Sequence, residues 1–431
     1  MNSRTIKHVI HWFSPLPPAR TDIAEYTCRI LPALSRQAKV ILWTDQRDWT
    51  LELETYAEVR AFDPNTFSLK CVAAARRDLS IPAHLTDSIF INIGNNWLFH
   101  AGLLTVAQKI PSVIILHDLV LQEMLLDSVK QGTVDGADYL DAIEEFYGTA
   151  ARLLAKDALT GQTEARASML AFPGLELVTR NALAIISHSP TIHQLFHHEP
   201  QVEPLVINLP FPSHVNVTAR RLKSGPVRLV QFGHIGPNRR AIEILDTIGS
   251  LRDRIEFRLD VVGQVWNEDL LRRKIEACGL KGVVHLHGYL PENKLDELIS
   301  QAHLVLNLRY PTMGEASGSQ LRIWSRASCS VVSDHGWYAT LPSNTVLKIP
   351  VKPGAEKDSL RDLLVDIDHN RAKFKSVGEA GLEWLSSKHD PEGYASEIYR
   401  VCERTSFMGR DMLIRRQRQR FKQVSGDKPL R

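Results

Sequence analysis

Four turns at predicted strand ends carry the residues best suited to chemistry. One lies in 309–342. An apolar run at 304–308 stops there, and a small-residue turn follows (Gly314, Glu315, Ala316, Ser317, Gly318, Ser319). A helical pattern then covers 320–327, and a second strand covers 330–333. A helix N-terminus behind a glycine turn offers unpaired backbone N–H groups and the positive end of the helix dipole. Gly318, Ser319 and Gln320 can therefore hold an anion. Glu315 in the same turn would repel that anion. A carboxylate placed there suits hydroxyl groups or a developing positive charge beside the phosphate. The same spacing also fits an ordinary loop with a solvated Glu and a Ser capping the helix.

The second turn, at 233–240, follows a predicted strand at 227–232 and reads Gly-His-Ile-Gly-Pro-Asn-Arg-Arg. Cations at the positive end of a helix are unfavourable without an anion, so Arg239 is read as a phosphate ligand. A solvated Arg239–Arg240 pair is the alternative. The third turn begins at His117, at the carboxyl end of a predicted strand at 113–116. In an open α/β sheet these ends line the ligand crevice. A histidine satisfied by local backbone groups is the alternative. The fourth is the proline-dense loop at 14–22, where Thr21 or Asp22 can cap a helix predicted for 23–34.

The elements that must position these turns alternate regularly. Strands are predicted at 9–13, 39–43, 87–93, 113–116 and 182–187, and again at 227–232, 256–262, 283–287, 304–308, 330–333 and 345–349. Helices are predicted at 98–108, 359–387 and 391–402, with another beginning at Ser189. Residues 128–180 show helical patterns without a strand signal, an insertion suited to a lid on the acceptor side. Prolines at 200, 204, 210 and 212 mark an interdomain boundary near 210–226. The expected domains are 1–212, with the insertion at about 128–180, then 213–384, and a returning helix with a basic tail at 385–431. The fold class is α/β.

With 431 residues, two or three domains are expected. Apolar residues make up 44% and charged residues 23%, as in a globular protein, and no apolar run is long enough to span a membrane. The N-terminus lacks the pattern of a signal peptide. Five scattered cysteines, with no CxxC pair, read as reduced thiols of a cytoplasmic protein and not as disulfides or a zinc site. His193, His197 and His198 have spacing compatible with zinc but no acidic or Cys partner nearby in sequence, so no metal is expected. Residues 410–431 hold eight Lys or Arg against two Asp, so the rest of the chain is slightly acidic despite a net charge of +3. This argues against a nucleic-acid binder. The basic tail could instead make peripheral contact with an anionic membrane.

The stretch RYPTMGEASGS, the helix after it and VVSDHGWYATLP resemble the retaining glycosyltransferases of family 4. The turn at Gly233, the Pro-rich loop and His117 extend that resemblance over nearly the whole chain. It implies the GT-B fold, two Rossmann-like doubly wound domains facing a central cleft. It also implies transfer of a sugar, with retention, from a UDP- or GDP-linked donor to a glycan or lipid-linked glycan acceptor. The setting would be bacterial cell-surface polysaccharide or lipopolysaccharide biosynthesis. Carried over residue by residue, the resemblance puts His117 at the donor sugar and His234 and Arg239 on the diphosphate. Gly233 and Gly263, with Tyr289 and Leu290, fall on the nucleotide and its base. The position that is usually a glycine before the first helix is Asp22, beside Thr21, facing acceptor or diphosphate. The usual ribose-binding glutamate, eight residues after Glu315, is Ile323, with Arg322 and Trp324 beside it.

The catalytic set expected is thus His117, Glu315 and Arg239. Without a DxD motif at a strand end, Arg239 would stabilise the leaving diphosphate and no metal or other cofactor is expected. Two rival readings stay open. One is another enzyme of the same fold, such as a nucleotide-sugar epimerase or a phosphorylase. The other is a non-catalytic sugar-binding or scaffold protein of a polysaccharide-synthesis complex, which the departures at Asp22, His234 and Ile323 would suit.

Overall fold

The computed structural model describes residues 6–162, 171–196, 202–213, 225–352 and 354–405. The chain divides into two compact units, one formed by Met1–Pro210 with Pro391–Arg431 and the other by Phe211–Asp390.

The first unit is built on seven parallel strands: β1 (His8–Phe13), β2 (Lys39–Thr44), β3 (Glu58–Ala61), β4 (Thr86–Ile93), β5 (Ser112–Leu116), β6 (Ala182–Ser187) and β7 (Leu205–Val206). Their order is β3-β2-β1-β4-β5-β6-β7, so the direction of winding reverses between β1 and β4. The central strands are apolar runs because helices cover both faces of the sheet. Val9, Ile10, Trp12 and Phe13 are all fully buried. His11 lies among them because both its ring nitrogens are used. Trp43 Nε1 donates to its Nδ1 at 3.1 Å, and its Nε2 meets Asp87 Oδ1 at 3.2 Å.

The insertion is not a detached cover. Its helices Gly136–Tyr147 and Thr149–Leu159 bury Tyr139, Ile143, Ala151, Ala155 and Ala158 in the same core as the sheet. The small side chains of Ala151, Ala155 and Ala158 allow this close packing. The segment after Ser189 is a single five-residue 3-10 turn, Pro190–Gln194, in which His193 pairs with Glu203 at 3.2 Å. His197, His198 and the basic tail lie outside the described residues. The helical residues 391–405 belong to this unit. Tyr394 meets Tyr26 with hydroxyls 2.5 Å apart, and Ser396 accepts from Gln37 at 3.1 Å.

The second unit has six parallel strands: β8 (Val227–Phe232), β9 (Phe257–Val262), β10 (Val284–Leu286), β11 (Leu304–Asn307), β12 (Ser330–Ser333) and β13 (Leu347–Ile349). Their order is β10-β9-β8-β11-β12-β13, reversing between β8 and β11. Two glycines let the helix Arg371–Lys388 press against the turn and helix that follow β11. A Cβ on Gly378 would lie 2.2 Å from the Ala327 carbonyl, and one on Gly381 would lie 2.1 Å from the Trp324 ring. Trp324 is fully buried and donates to the Thr345 carbonyl at 2.9 Å, which anchors the helix Gly318–Ser325. Each unit is the doubly wound parallel sheet that the sequence leads one to expect. All five cysteines are free thiols. Among the described residues no helix is long and apolar enough to cross a membrane.

Candidate functional site

In the second unit, the reversal between β8 and β11 brings the turns at 233–240 and 309–318 to neighbouring strand ends, where open α/β sheets bind ligands. The two turns are tied together by Tyr310, whose N–H donates to the Asn238 carbonyl at 2.8 Å. Gly233 has a positive φ of 100° and Gly263 one of 116°. A Cβ on Gly263 would lie 2.1 Å from the Gly233 carbonyl oxygen, so this contact between the ends of β8 and β9 requires glycine.

Arg239 and Arg240 part company here, and neither belongs to a solvated pair. Arg240 adopts a left-handed backbone (φ 59°) and turns to Glu356 through two bonds, 2.9 and 2.5 Å, and to Glu243 at 2.8 Å. Its charge is neutralised inside the fold. Arg239 is only 2% exposed and donates from Nη2 to the Phe232 carbonyl at 2.8 Å. That same nitrogen lies 3.8 Å from where a Cβ on Gly233 would be. The guanidinium is thus held beneath the glycine turn, where low dielectric strengthens its field. His234 is exposed on the turn.

Ser317 caps the helix Gly318–Ser325, its Oγ accepting from Gln320 N at 3.1 Å. The Gln320 side chain is fully buried and joins β11 to β12 through Asn307 at 3.0 Å and Ser330 at 2.8 Å. Both polar ends of Gln320 therefore serve the fold, which leaves Gly318 and Ser319 as the helix-start donors that the cap does not cover. Glu315 is largely buried. It pairs with Arg309 and accepts from Met313 N at 2.7 Å. Arg309 N in turn donates to Ser333 Oγ at 3.0 Å. Glu315 is therefore neutralised by a cation on the adjoining strand end, a partner the sequence reading did not assign.

Ile323 is fully buried in an apolar cluster with Val230, Phe232, Val262, Ile299 and Val305. Arg322 is held by Asp296 at 2.8 Å and Glu292 at 2.9 Å. Leu290 packs on the Ile323 cluster, whereas Tyr289 is 80% exposed. Trp266, 63% exposed in the loop after β9, is a second aromatic face that sequence reasoning missed. Its position three residues beyond Gly263 was the available signal.

In the first unit, the strand ends hold a different set. His117, just past β5, is half-buried, and its Nε2 lies 3.0 Å from Asn92 Oδ1. His188, one residue past β6, stacks at a tilt against His117 with ring centroids 5.0 Å apart, and Tyr26 meets His117 edge-on at 4.7 Å. Burial holds the His117 imidazole well below the usual histidine range, and the nearby His188 and His100 push it the same way. Burial pushes His100 down to about 4, and raises both Tyr26 and Tyr394. Within this polar cluster His117, His100, Tyr26 and Tyr394 are thereby held neutral. His188 occupies a strand end just as His117 does, and that common placement could have revealed it. Thr21, not Asp22, caps the helix Asp22–Ser35, its Oγ1 accepting from Ile23 N at 3.4 Å. Asp22 is exposed in the first turn, where a carboxylate favours the helix dipole.

Residues 217–321 match the family model described as glycosyl transferases group 1, a span containing the Gly233 turn and Glu315 and ending inside the helix Gly318–Ser325. Comparison with curated proteins finds no match. Among solved structures, the chain is similar to Anabaena Alr3699/HepE in complex with UDP, at 14% identity and a TM-score of 0.60, over 92% of this chain and 99% of that one. It is similar to a glycosyltransferase from Rickettsia africae at 8% identity and a TM-score of 0.60, over 93% and 98%. It is also similar to sucrose-phosphate synthase from Thermosynechococcus elongatus at 14% identity and a TM-score of 0.58, over 92% and 98%. At these identities the likeness speaks for architecture, and with two Rossmann-like parallel-sheet domains the chain has the GT-B fold.

Proposed function

We propose that this protein transfers a glycosyl group from a nucleoside diphosphate sugar to an acceptor hydroxyl, with retention of anomeric configuration. The observation that carries the reading is the Gly233 turn lying over the buried Arg239, beside the helix start at Gly318 and Ser319. A diphosphate above such a turn would meet a cation, backbone N–H groups and no obstructing side chains. The match of 217–321 to glycosyl transferases group 1 supports it, as does the UDP or UDP-glucose held by the Anabaena neighbour.

Arg239 and the Gly318 and Ser319 N–H groups would stabilise charge on the departing diphosphate, the role a metal ion plays elsewhere. Glu315 would accept from sugar hydroxyls once Arg309 turns toward phosphate. Trp266 and Tyr289 offer exposed rings on which a base could stack. No residue is assigned as a covalent nucleophile. The acceptor hydroxyl attacks the anomeric carbon on the face the diphosphate leaves, the glycosidic bond to phosphate breaks, and the hydroxyl proton passes to the departing phosphate oxygen. The acceptor class we favour is a glycan or lipid-linked glycan of cell-surface polysaccharide or lipopolysaccharide assembly.

A non-catalytic sugar-binding protein is the second reading, favoured by the burial of Ile323 and the neutralisation of Glu315 by Arg309. The test is incubation with UDP- and GDP-sugars and glycan acceptors in EDTA, with the product's anomeric configuration read by NMR. A retained linkage supports the transferase. An inverted linkage removes the proposed geometry, and nucleotide binding without turnover of any sugar selects the second reading.

A further inference from the structure

We infer that Asn92 is a positioning residue that fixes the tautomer of His117, so that His117 meets a ligand as a hydrogen-bond acceptor through Nδ1. Asn92 lies on β4, fully buried, and its Nδ2 donates to the Phe13 carbonyl at 2.9 Å. A carbonyl can only accept. Turning the amide over would set two oxygens against each other, so the orientation of Asn92 is dictated by the backbone of β1. Its Oδ1 therefore faces His117 Nε2 at 3.0 Å, and because Oδ1 also only accepts, Nε2 must carry the proton. In a neutral imidazole the remaining nitrogen then holds a lone pair.

The surroundings keep the ring neutral. The groups facing it are His188 from the end of β6, Tyr26 from the helix Asp22–Ser35, and His100 from the helix Trp97–Lys109. None of them is an anion at neutral pH. Tyr26 is itself bonded to Tyr394, and the neighbouring Asp118 accepts from Asn95 N at 2.7 Å. The adjacent histidines are fixed by the same kind of contact but in the opposite tautomer. His100 Nδ1 meets the Asn92 carbonyl at 3.2 Å, and His188 Nδ1 meets the Ile207 carbonyl at 2.8 Å. Of the three, only His117 carries its proton on Nε2, and among the described residues no hydrogen bond occupies its Nδ1.

His117 is thus built to receive a hydrogen bond from a ligand hydroxyl. It does not donate to a phosphate oxygen or deliver a proton to a leaving group. The inference depends on the glycosyl-transfer reading only in taking that hydroxyl as a sugar's.

The experiment is two-bond ¹H–¹⁵N correlation NMR of the full chain labelled with [¹⁵N]histidine, with His117 assigned by comparison with His117→Gln. Wild type should show the Nε2-protonated pattern from pH 8 to pH 5. In Asn92→Ala the two tautomers should mix. In Asn92→Asp a carboxylate faces the ring, and His117 should become protonated near or above pH 6.5. An Nδ1-protonated His117 in wild type overturns the inference, as does a wild-type pattern retained in Asn92→Ala. If neither variant folds, the wild-type spectrum decides alone. Because no donor is needed, the locked tautomer can be found in a protein that transfers nothing, and transfer can be found where the tautomer is wrong.

Discussion

The carboxyl ends of the two sheets have the same winding but opposite chemistry. At the first, His117, His188, His100, Tyr26 and Asn92 form a polar group in which burial holds His117, His100 and Tyr26 neutral. At the second, fixed charge gathers around glycine turns: Arg239 beneath Gly233, Arg309 on Glu315, Arg240 on Glu356. Neutral groups with assigned donors and acceptors select hydroxyls by geometry. Fixed cations and bare backbone favour an anion. The strand-end placement is general to the fold, and the side chains and exposed backbone N–H groups set there decide what each end suits.

The sharpest way to break this contrast is to remove the buried charge. Arg239→Ala should lower nucleoside diphosphate affinity at least about 100-fold, given the strength of charge-assisted bonds in a desolvated site. Arg239→Lys should recover part of it, and calorimetry measures both. Glu315→Gln should leave nucleotide affinity within about threefold of wild type while lowering kcat about 10- to 100-fold, because the contact it removes is to the sugar. Loss of nucleotide affinity instead would show that Glu315 serves mainly to hold Arg309.

Acid should separate the two units. His100 has a folded pKa of about 4 against 6.5 for the free side chain, so below pH 6.5 the unfolded chain binds protons that the folded unit refuses. The first unit should lose up to about 3 kcal/mol as pH falls from 6.5 to 4. His117 acts in the same direction. In the second unit, burial alone would raise Asp260, but hydrogen bonds from Arg258 and His287 outweigh it and hold its pKa below the ordinary value. Its contribution is present above the usual carboxylate range and is lost only as pH falls below about 4. Two thermal transitions should therefore diverge between pH 6.5 and pH 4, the first unit melting earlier. A single transition moving as one would contradict this.

The smallest effect expected is from Trp324→Phe, which removes the bond to the Thr345 carbonyl. It should cost about 1 kcal/mol by denaturant titration, with a weaker, secondary loss of nucleotide affinity through the helix Gly318–Ser325.

The alternation of strands and helices was legible because strands buried on both faces are continuous apolar runs, and the strand-end turns were legible because glycine and proline interrupt them. The four-residue strand β3, whose residues are all partly or fully exposed, carries no such signal and was not found. Partners distant in sequence were equally hidden. Nothing in the spacing ties Asn92 to His117, or Arg240 to Glu356 across the second unit. Arg309 is close to Glu315 in sequence, but their pairing depends on how the turn folds back on β11. Gln320 shows the same limit: the spacing places its N–H at a helix start but does not show that Ser317 caps it, or that its side chain joins β11 to β12.

The most direct test of the central claim, that the second sheet's carboxyl end holds a nucleoside diphosphate, is calorimetric titration of wild type and Arg239→Ala with UDP, GDP and ADP in EDTA and then in Mg²⁺. The account predicts metal-independent binding of one of these to wild type and its loss in the variant. Equal affinity in both proteins, or binding by none of the three, would contradict it.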